Sequence, residues 1–241
     1  NAMLVVLEKG DVYKVYEDMR DEFNNKLRKD SETHKKSEKQ EKNWITKAEI
    51  DNILAERLAH LHKRKIMKMK ATEPTKTEAQ KFQDYLLLKT VSELPSRNDF
   101  HSLKIVKRAN FKRAAEDTQN YLVVGHRMEI VVNSWKTKKS YSEPRVLALS
   151  DDLKKCMRSF VKQRPEQQHL FVDASGNAFK RNSFTKKITR LFKEHFPDKD
   201  ISTTMLRHIF ATEQNGDIVD ALEEDAKKLG HSVSTHLQYI K

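Results

Sequence analysis

Five side chains in the C-terminal part of the sequence could together act on a phosphodiester. They are Arg97 in LPSRNDFHSL, Lys136 in WKTKK, Arg207 in TTMLRHIFAT, and His231 and Tyr239 in LGHSVSTHLQYIK. A tyrosine can hold a phosphate covalently, and arginines offer planar, permanently charged donors for its oxygens. A lysine can protonate a departing oxygen, and a histidine can donate a further hydrogen bond. Each residue alone also fits an ordinary role as a solvated cation or a packed ring. Their combination predicts cleavage of a nucleic-acid backbone without a metal ion.

The overall charge favours the same kind of partner. Lys and Arg number 47 against 35 for Asp and Glu, which gives a net charge of +12. A surplus of this size in a protein that is 37% hydrophobic and 34% charged favours binding of a polyanion, with nucleic acid first. Charge that serves solubility alone is the plainer alternative.

Several other classes of function are disfavoured. The chain has no run of eighteen apolar residues, so we expect no membrane partner. Its single cysteine, Cys156, rules out a disulfide framework and a cysteine zinc site, and its apolar spacing predicts burial. The five glycines form neither a GxGxxG motif nor a Walker loop. The sequence also offers no convincing cluster of carboxylates for a two-metal site. We therefore expect neither a cofactor nor a metal.

The hydrophobic periodicity predicts an α+β fold that is mostly α-helical with a small three-stranded antiparallel sheet. Capping boxes of Thr46 with Glu49 and of Thr75 with Glu78 indicate where two helices begin. The predicted strands are 121–124, 128–132 and 145–149, and the other predicted helices are 12–27, 151–163, 184–195, 203–212, 217–229 closed by Gly230, and a last one capped by Ser234.

The chain is predicted to have two parts. Residues 1–43 combine an amphipathic helix with the charged segment 29–42, which has no apolar residue and is interpreted as a linker. This part could be the remnant of an N-terminal arm domain. Residues 44–241 are predicted to form the catalytic domain.

The segment from Arg97 to Tyr239 resembles the catalytic domain of the tyrosine recombinases, also called phage-type integrases. LRHIFAT and LGHSVST with its following tyrosine are similar to the two C-terminal boxes of that family. SRNDF is similar to the first arginine box, and WKT followed by RVLAL resembles the β-hairpin that carries the family's lysine. By order and spacing the resemblance extends from about Trp44 to the end of the sequence.

The resemblance implies a role for each residue. Tyr239 would attack the scissile phosphate to give a 3′-phosphotyrosyl link and a free 5′-hydroxyl, so that rejoining needs no ATP. Arg97 and Arg207 would clamp the phosphate, and His231 would contact it and steady the leaving oxygen. These roles make the protein a DNA strand transferase.

The same resemblance implies that Lys136 is the general acid, with Lys138 and Lys139 as the alternative hairpin lysines. Members of the family act on double-stranded DNA as tetramers on paired sites. The resemblance therefore predicts a homo-oligomer that is intracellular and DNA-associated, encoded by a virus or mobile element.

The sequence departs from the family pattern at two positions. Thr204 occupies the place of the histidine that usually acts as a base on the tyrosine, and a threonine cannot take a proton near neutral pH. The neighbouring His208 points another way on a helix and does not replace it. The interval from His231 to Tyr239 is one residue shorter than the family's. Asp99 is expected either to orient Arg97 through an ion pair or to serve as an acid near a helix N-terminus.

Two other functions stay open at this point. A type IB topoisomerase would use the same chemistry to relax supercoiled DNA as a monomer. A derivative that binds DNA without cutting it would explain the threonine at position 204.

Overall fold

The computed structural model describes residue 4 and residues 9–32, 36–70, 73–112, 117–138, 141 and 143–240. The chain divides into two compact units, Asn1–Lys42 and Asn43–Lys241. None of the helices in the described ranges has the length and apolar character needed to cross a membrane.

Helix α1 (Asp11–Glu32) confirms the first predicted helix and extends it beyond residue 27. A second helix, α2 (Glu38–Asn43), begins inside the segment 29–42 that was interpreted as a linker, so that segment is helical in part. Ser37 and Gln40 form reciprocal caps before α2, with Gln40 N donating to Ser37 Oγ and Ser37 N donating to Gln40 Oε1. Lysine, glutamate and glutamine are strong helix formers, so a segment without apolar residues can still be helical.

Six helices form the frame of the second unit. They are α3 (Lys47–Lys63), α4 (Lys76–Glu93), α5 (Asp151–Gln163), α6 (Arg181–Lys193), α7 (Thr203–Lys228) and α8 (Val233–Tyr239). Both predicted capping boxes are confirmed. Thr46 and Thr75 each accept from the backbone of the glutamate three residues later and donate their own backbone N–H to its carboxylate. These hydrogen bonds lower the pKa of Glu49 and of Glu78.

Among the described residues the sheet has four strands, one more than the predicted three. Strands β2 (Tyr121–Val124), β3 (Glu129–Val132) and β4 (Arg145–Ala148) confirm the predicted antiparallel set. Strand β1 (Lys104–Lys107) joins the edge of β2 in parallel, with Lys104 opposite Tyr121. The sheet is therefore mixed. With only two apolar residues between lysines, β1 has too short a pattern to be recognised before its partner is known.

The core lies between these helices and the sheet. The rings of Phe82 and Phe160 meet edge to face at 5.2 Å, and the Arg164 guanidinium lies 3.9 Å from the centre of the Phe160 ring. Cys156 is buried as predicted. A nearly buried ion pair of 2.6 Å between Lys187 and Asp84 fixes α6 against α4.

Helix α7 corrects another prediction. The sequence predicted two helices separated near Gly216, whereas the structure has one helix of 26 residues. A glycine inside a helix costs only about 1 kcal/mol relative to alanine, so it does not by itself end the helix. Ser202 caps α7, and Gly230 follows its C-cap with φ 71°, the latter as predicted. The last helix is capped by Ser232 and not by Ser234.

Candidate active site

The loop that carries Arg97 follows α4, and its geometry is set by buried polar groups. Arg97 itself is exposed, whereas Ser96 and Asp99 are about 5% exposed. Asp99 accepts a hydrogen bond of 2.5 Å from Ser96 Oγ and forms an ion pair of 3.6 Å with Arg145. Among the described residues, Asp99 therefore pairs with Arg145 and not with Arg97. The Asp99 carboxylate stabilises the loop through Ser96 and Arg145, and it does not orient Arg97.

Asn120, at the entrance to β2, joins this loop to the segment that carries Lys136. Its side-chain Nδ2 donates to the carbonyl oxygens of Asp99 at 2.8 Å and of Ser134 at 3.1 Å. Its Oδ1 accepts from the backbone N–H groups of Asn133 and Ser134, both at 2.8 Å. A buried amide with this many partners fixes the relative position of the two segments. Ser134 precedes Lys136 by two residues, so the segment that bears Lys136 starts beside the Arg97 loop.

The hairpin is further anchored by Trp135, which is 8% exposed. The Arg145 guanidinium lies 5.9 Å from the centre of the Trp135 ring, and the ring of Tyr141 lies 6.0 Å away. Lys136 directly follows this anchor and is exposed, while Lys138 is half-buried. Lys139, the third candidate lysine, lies outside the described residues.

Asn98 connects the same loop to the helix that carries Arg207. Its Oδ1 accepts from Thr185 Oγ1 on α6 and from Thr203 Oγ1 on α7, each at 3.1 Å. Residues four apart share one face of a helix, so Arg207 lies one turn above Thr203 on the face towards the loop. The structure thus brings the elements bearing Arg97, Lys136 and Arg207 to one corner, which we call the cation corner.

His101 lies in the same loop as Arg97 and Asn98. Its Nδ1 lies 2.7 Å from the Asn98 carbonyl oxygen, and burial lowers its pKa, with the charge of Arg181 acting in the same direction. Burial and the charge of Arg181 therefore both favour the neutral form of the His101 ring.

A basic groove runs along α6 from the cation corner. It has a volume of about 420 Å³ and is lined by Asn182, Thr185, Lys186, Thr189, Arg190 and Lys193. Lys186 and Arg190 are exposed and one helical turn apart. Thr185 contacts Asn98, so the groove continues directly into the corner. The two exposed cations of this groove suit a phosphate backbone.

His231 and Tyr239 lie together but at the other end of α7. The chain turns there because the backbone N–H of His231 donates to Ala226 O and that of Gly230 to Lys227 O, both at 3.1 Å. After this turn the ring of Tyr239 stacks on that of His231, with centres 5.5 Å apart. The Tyr239 side chain is 71% exposed.

The structure does not bring this pair to the cation corner. Arg207 and Lys228 belong to one continuous helix, and a rise of 1.5 Å per residue separates them by about 30 Å. Helix α8 is seven residues long and covers only about 10 Å. Tyr239 of the same chain therefore lies well beyond hydrogen-bonding reach of Arg207. Thr204, in the first turn of α7, and the neighbouring His208 are both exposed.

Asn98, Asn120 and Arg145 are residues of this corner that sequence reasoning missed. Asparagines are common in loops, so neither Asn98 nor Asn120 stands out by type. Asn98 directly follows Arg97, and that adjacency was the single sequence signal for it. Arg145 begins a predicted strand, and nothing in its spacing indicated the contact with Asp99. Within the described ranges no group of three or more His, Cys, Asp or Glu side chains could hold a metal ion.

Fold and sequence comparison together define the class of protein. The sequence model of the phage integrase family matches residues 117–239, from just before β2 to the end of α8. The chain therefore belongs to the phage integrase family, as the resemblance predicted. The matched span includes Lys136, Arg207, His231 and Tyr239, whereas Arg97 precedes it. Neither a curated protein nor a solved structure matches the chain.

Proposed function

We propose that this protein is a site-specific DNA recombinase that breaks and rejoins double-stranded DNA through a 3′-phosphotyrosine intermediate. Family membership supports DNA recombination as the general activity. The observation that carries the specific chemistry is the contact of Asn98 with Thr203, because it connects the loop of Arg97 to the first turn of the helix that bears Arg207. Two guanidinium groups at one corner are what a pentavalent phosphorus transition state requires.

In the proposed reaction the Tyr239 hydroxyl oxygen attacks the phosphorus, and the bond from phosphorus to the 5′-oxygen breaks. Lys136 gives a proton to that departing oxygen, and the proton of the tyrosine passes to water because Thr204 cannot accept it. Arg97 and Arg207 bind the non-bridging oxygens, and His231 donates to the same phosphate. Attack by a 5′-hydroxyl on the phosphotyrosine reverses the steps, so rejoining needs no nucleotide.

The proposal includes a homo-oligomer on two DNA duplexes. Strand exchange requires two broken duplexes held next to one another, and four active sites supply the four cuts. The basic groove along α6 supports DNA binding next to the corner, since exposed Lys186 and Arg190 can each neutralise a phosphate.

A nicked suicide duplex tests the chemistry, because loss of the short strand traps the covalent adduct. Wild-type protein should give a denaturation-resistant protein–DNA adduct that protease digestion maps to Tyr239. Tyr239→Phe should form no adduct while its affinity for the duplex stays within about threefold, since only the nucleophile is lost. Tyr16→Phe is the matched control, because Tyr16 is an exposed tyrosine in the first unit.

Three results would contradict the proposal. An adduct from Tyr239→Phe would assign the nucleophile elsewhere. DNA binding without any wild-type adduct would make the protein a binding derivative. Relaxation of supercoiled plasmid by a monomer, without paired sites, would indicate a topoisomerase.

A further inference from the structure

We infer that His236 is a positioning residue, which keeps the His231 ring in the orientation that its role at the DNA phosphate needs. The inference rests on the proposed function and adds a residue to the same site. Its basis is a contact between two histidine rings: the centre of the His236 ring lies 5.3 Å from that of His231, with an angle of 33° between the ring planes. His236 acts through this neighbour and does not itself bind the phosphate.

The His231 ring contacts two rings that share one side of α8. Besides His236, the Tyr239 ring stacks on it, with centres 5.5 Å apart and 24° between the planes. Residues three apart are neighbours on a helix surface, so His236 and Tyr239 lie on the same side of α8. Ring pairs of this kind stabilise one another beyond the effect of the area that they bury. The His231 ring is therefore placed by its packing on both.

Other groups give the His231 side chain little support. In the described part of the chain its one polar contact is that of Nδ1, which lies 3.3 Å from Ser232 O. This distance is long for a hydrogen bond between nitrogen and oxygen. The same carbonyl oxygen also accepts the backbone N–H of His236 at 2.8 Å. The orientation of the His231 ring therefore depends on its ring contacts.

Tyr239 cannot supply this support throughout the reaction. In the proposed step its hydroxyl oxygen bonds to phosphorus, so its side chain, which is 71% exposed, must move to the phosphate. The His236 ring takes no part in the bonds that form and break. When the tyrosine leaves the stack, His236 is the ring that stays against His231.

Helix α8 fixes the His236 ring from its first turn. Ser232 caps the helix: its Oγ accepts from Thr235 N at 3.2 Å and shares a hydrogen bond of 3.0 Å with Thr235 Oγ1. His236 follows directly and is half-buried, whereas the next three residues are exposed. Its Nδ1 atom is buried without a hydrogen-bond partner among the described residues. The ring therefore contributes by packing and not by a hydrogen bond through this atom, so another flat ring should replace it.

The alternative is that His236 serves Tyr239 directly, as the acceptor of its proton in place of the histidine that position 204 lacks. That role needs an imidazole nitrogen, which phenylalanine does not have. It would also matter as much in a chain without His231 as in one with it. Packing on His231 predicts the opposite in both respects.

Single-turnover rates on the suicide duplex test the inference. His236→Ala should form adduct about 10-fold more slowly than wild type, with affinity for the duplex within about twofold, because a small misplacement of His231 weakens its contact with the phosphate. Alanine is a better helix former than histidine, so this change does not weaken α8. His236→Phe keeps a packing ring and should react within about threefold of wild type. Gln238→Ala, at an exposed position of the same helix, is the matched control and should keep the wild-type rate.

A double-mutant cycle identifies the residue through which His236 acts. His231→Ala should slow adduct formation about 100-fold, and the addition of His236→Ala should slow it further by less than about twofold. Three results would overturn the inference: a wild-type rate in His236→Ala, a His236→Phe variant as slow as His236→Ala, or an undiminished effect of His236→Ala in the His231→Ala background.

The NMR signal of the Tyr239 ring supplies a measurement that does not depend on cleavage. In protein with isotopically labelled tyrosine, Tyr239→Phe identifies this signal, and its position reports the stacking of the His231 ring. His236→Ala should move it in the same direction as His231→Ala does, whereas Gln238→Ala should leave it in place. A signal that His236→Ala does not move would overturn the inference. Wild-type protein that forms no adduct would instead refute the proposed function, so the two failures are distinguishable.

Discussion

Asn98 Oδ1 accepts a hydrogen bond of 3.1 Å from Thr203 Oγ1, and this contact joins the loop of Arg97 to the helix of Arg207. Thr203 is only 5% exposed, so its hydroxyl has little access to water. The same Asn98 oxygen accepts from Thr185 on α6 at 3.1 Å. One amide therefore sets the spacing of the two arginines, although it carries no charge itself.

Asn98→Ala should slow adduct formation by about 10- to 100-fold, because small misplacements of binding groups have effects of this size. Affinity for the duplex should change by less than about threefold, since the basic groove is untouched. The measurement is a single-turnover rate on the suicide duplex next to a binding isotherm. Thr203→Val should reproduce the slow rate, and Thr185→Val, which removes the other hydroxyl, is the matched control with a smaller effect. A wild-type rate accompanied by a lower melting temperature would leave Asn98 with a structural role alone.

Local signals in the sequence predicted much of the frame. The capping boxes at Thr46 and Thr75 and the turn at Gly230 were confirmed because each depends on a few neighbouring residues. The two antiparallel strands on either side of residues 125–127 were predicted for the same reason. Such features need no knowledge of the rest of the chain.

Features that depend on distant partners were missed. Strand β1 exists because β2 offers it an edge, and its own four residues have no distinctive pattern. The corner depends on the side chains of Asn98 and Asn120, whose partners lie 13 to 105 residues away. The sequence predicted a break between residues 212 and 217, but the one glycine there does not outweigh the hydrogen bonds of the turns around it. The order of the five site residues could be predicted, whereas their division between two ends of α7 could not.

The basic groove along α6 should bind phosphates without reading sequence. Replacing both Lys186 and Arg190 by glutamine should weaken binding to all duplexes alike and lower the slope of log K against log salt concentration by about two, near one counterion for each cation. Titrations from low to moderate salt would measure this slope. Lys162→Gln, on the exposed side of α5, is the control and should leave it within error. An unchanged slope in the double variant would place the DNA elsewhere.

Cys156 should make stability fall in alkaline solution. Burial raises the pKa of its thiol from 9.0 to about 12. Between these values the unfolded chain releases the proton and the folded chain keeps it, so stability decreases as the pH rises through this window. The slope for one such group is at most about 1.4 kcal/mol per pH unit.

Urea denaturation at pH 8 and at pH 10 would measure the effect of this thiol. Cys156→Ala should lose less stability between the two pH values than wild type. Burial also raises the pKa of the Tyr85 hydroxyl, and Cys156 acts in the same direction, so removal of the thiol can only lessen the part of the loss that Tyr85 contributes. Equal losses in the two proteins would show that the thiol does not titrate differently on unfolding. In native protein at pH 8 the thiol should also resist alkylation that proceeds readily in urea.

If Lys136 is the general acid, a better leaving group in the DNA should make proton donation by this lysine unnecessary. Lys136→Ala should cleave an ordinary duplex about 100- to 1,000-fold more slowly than wild type. A duplex with sulfur in place of the bridging 5′-oxygen should restore most of that rate, because a thiolate departs without being protonated. Arg207→Ala should gain no comparable benefit, since its defect lies in binding the phosphate oxygens. Lys138→Ala is the matched control on the same hairpin. Rescue of Lys138→Ala, with Lys136→Ala unaffected by sulfur, would transfer the role to Lys138.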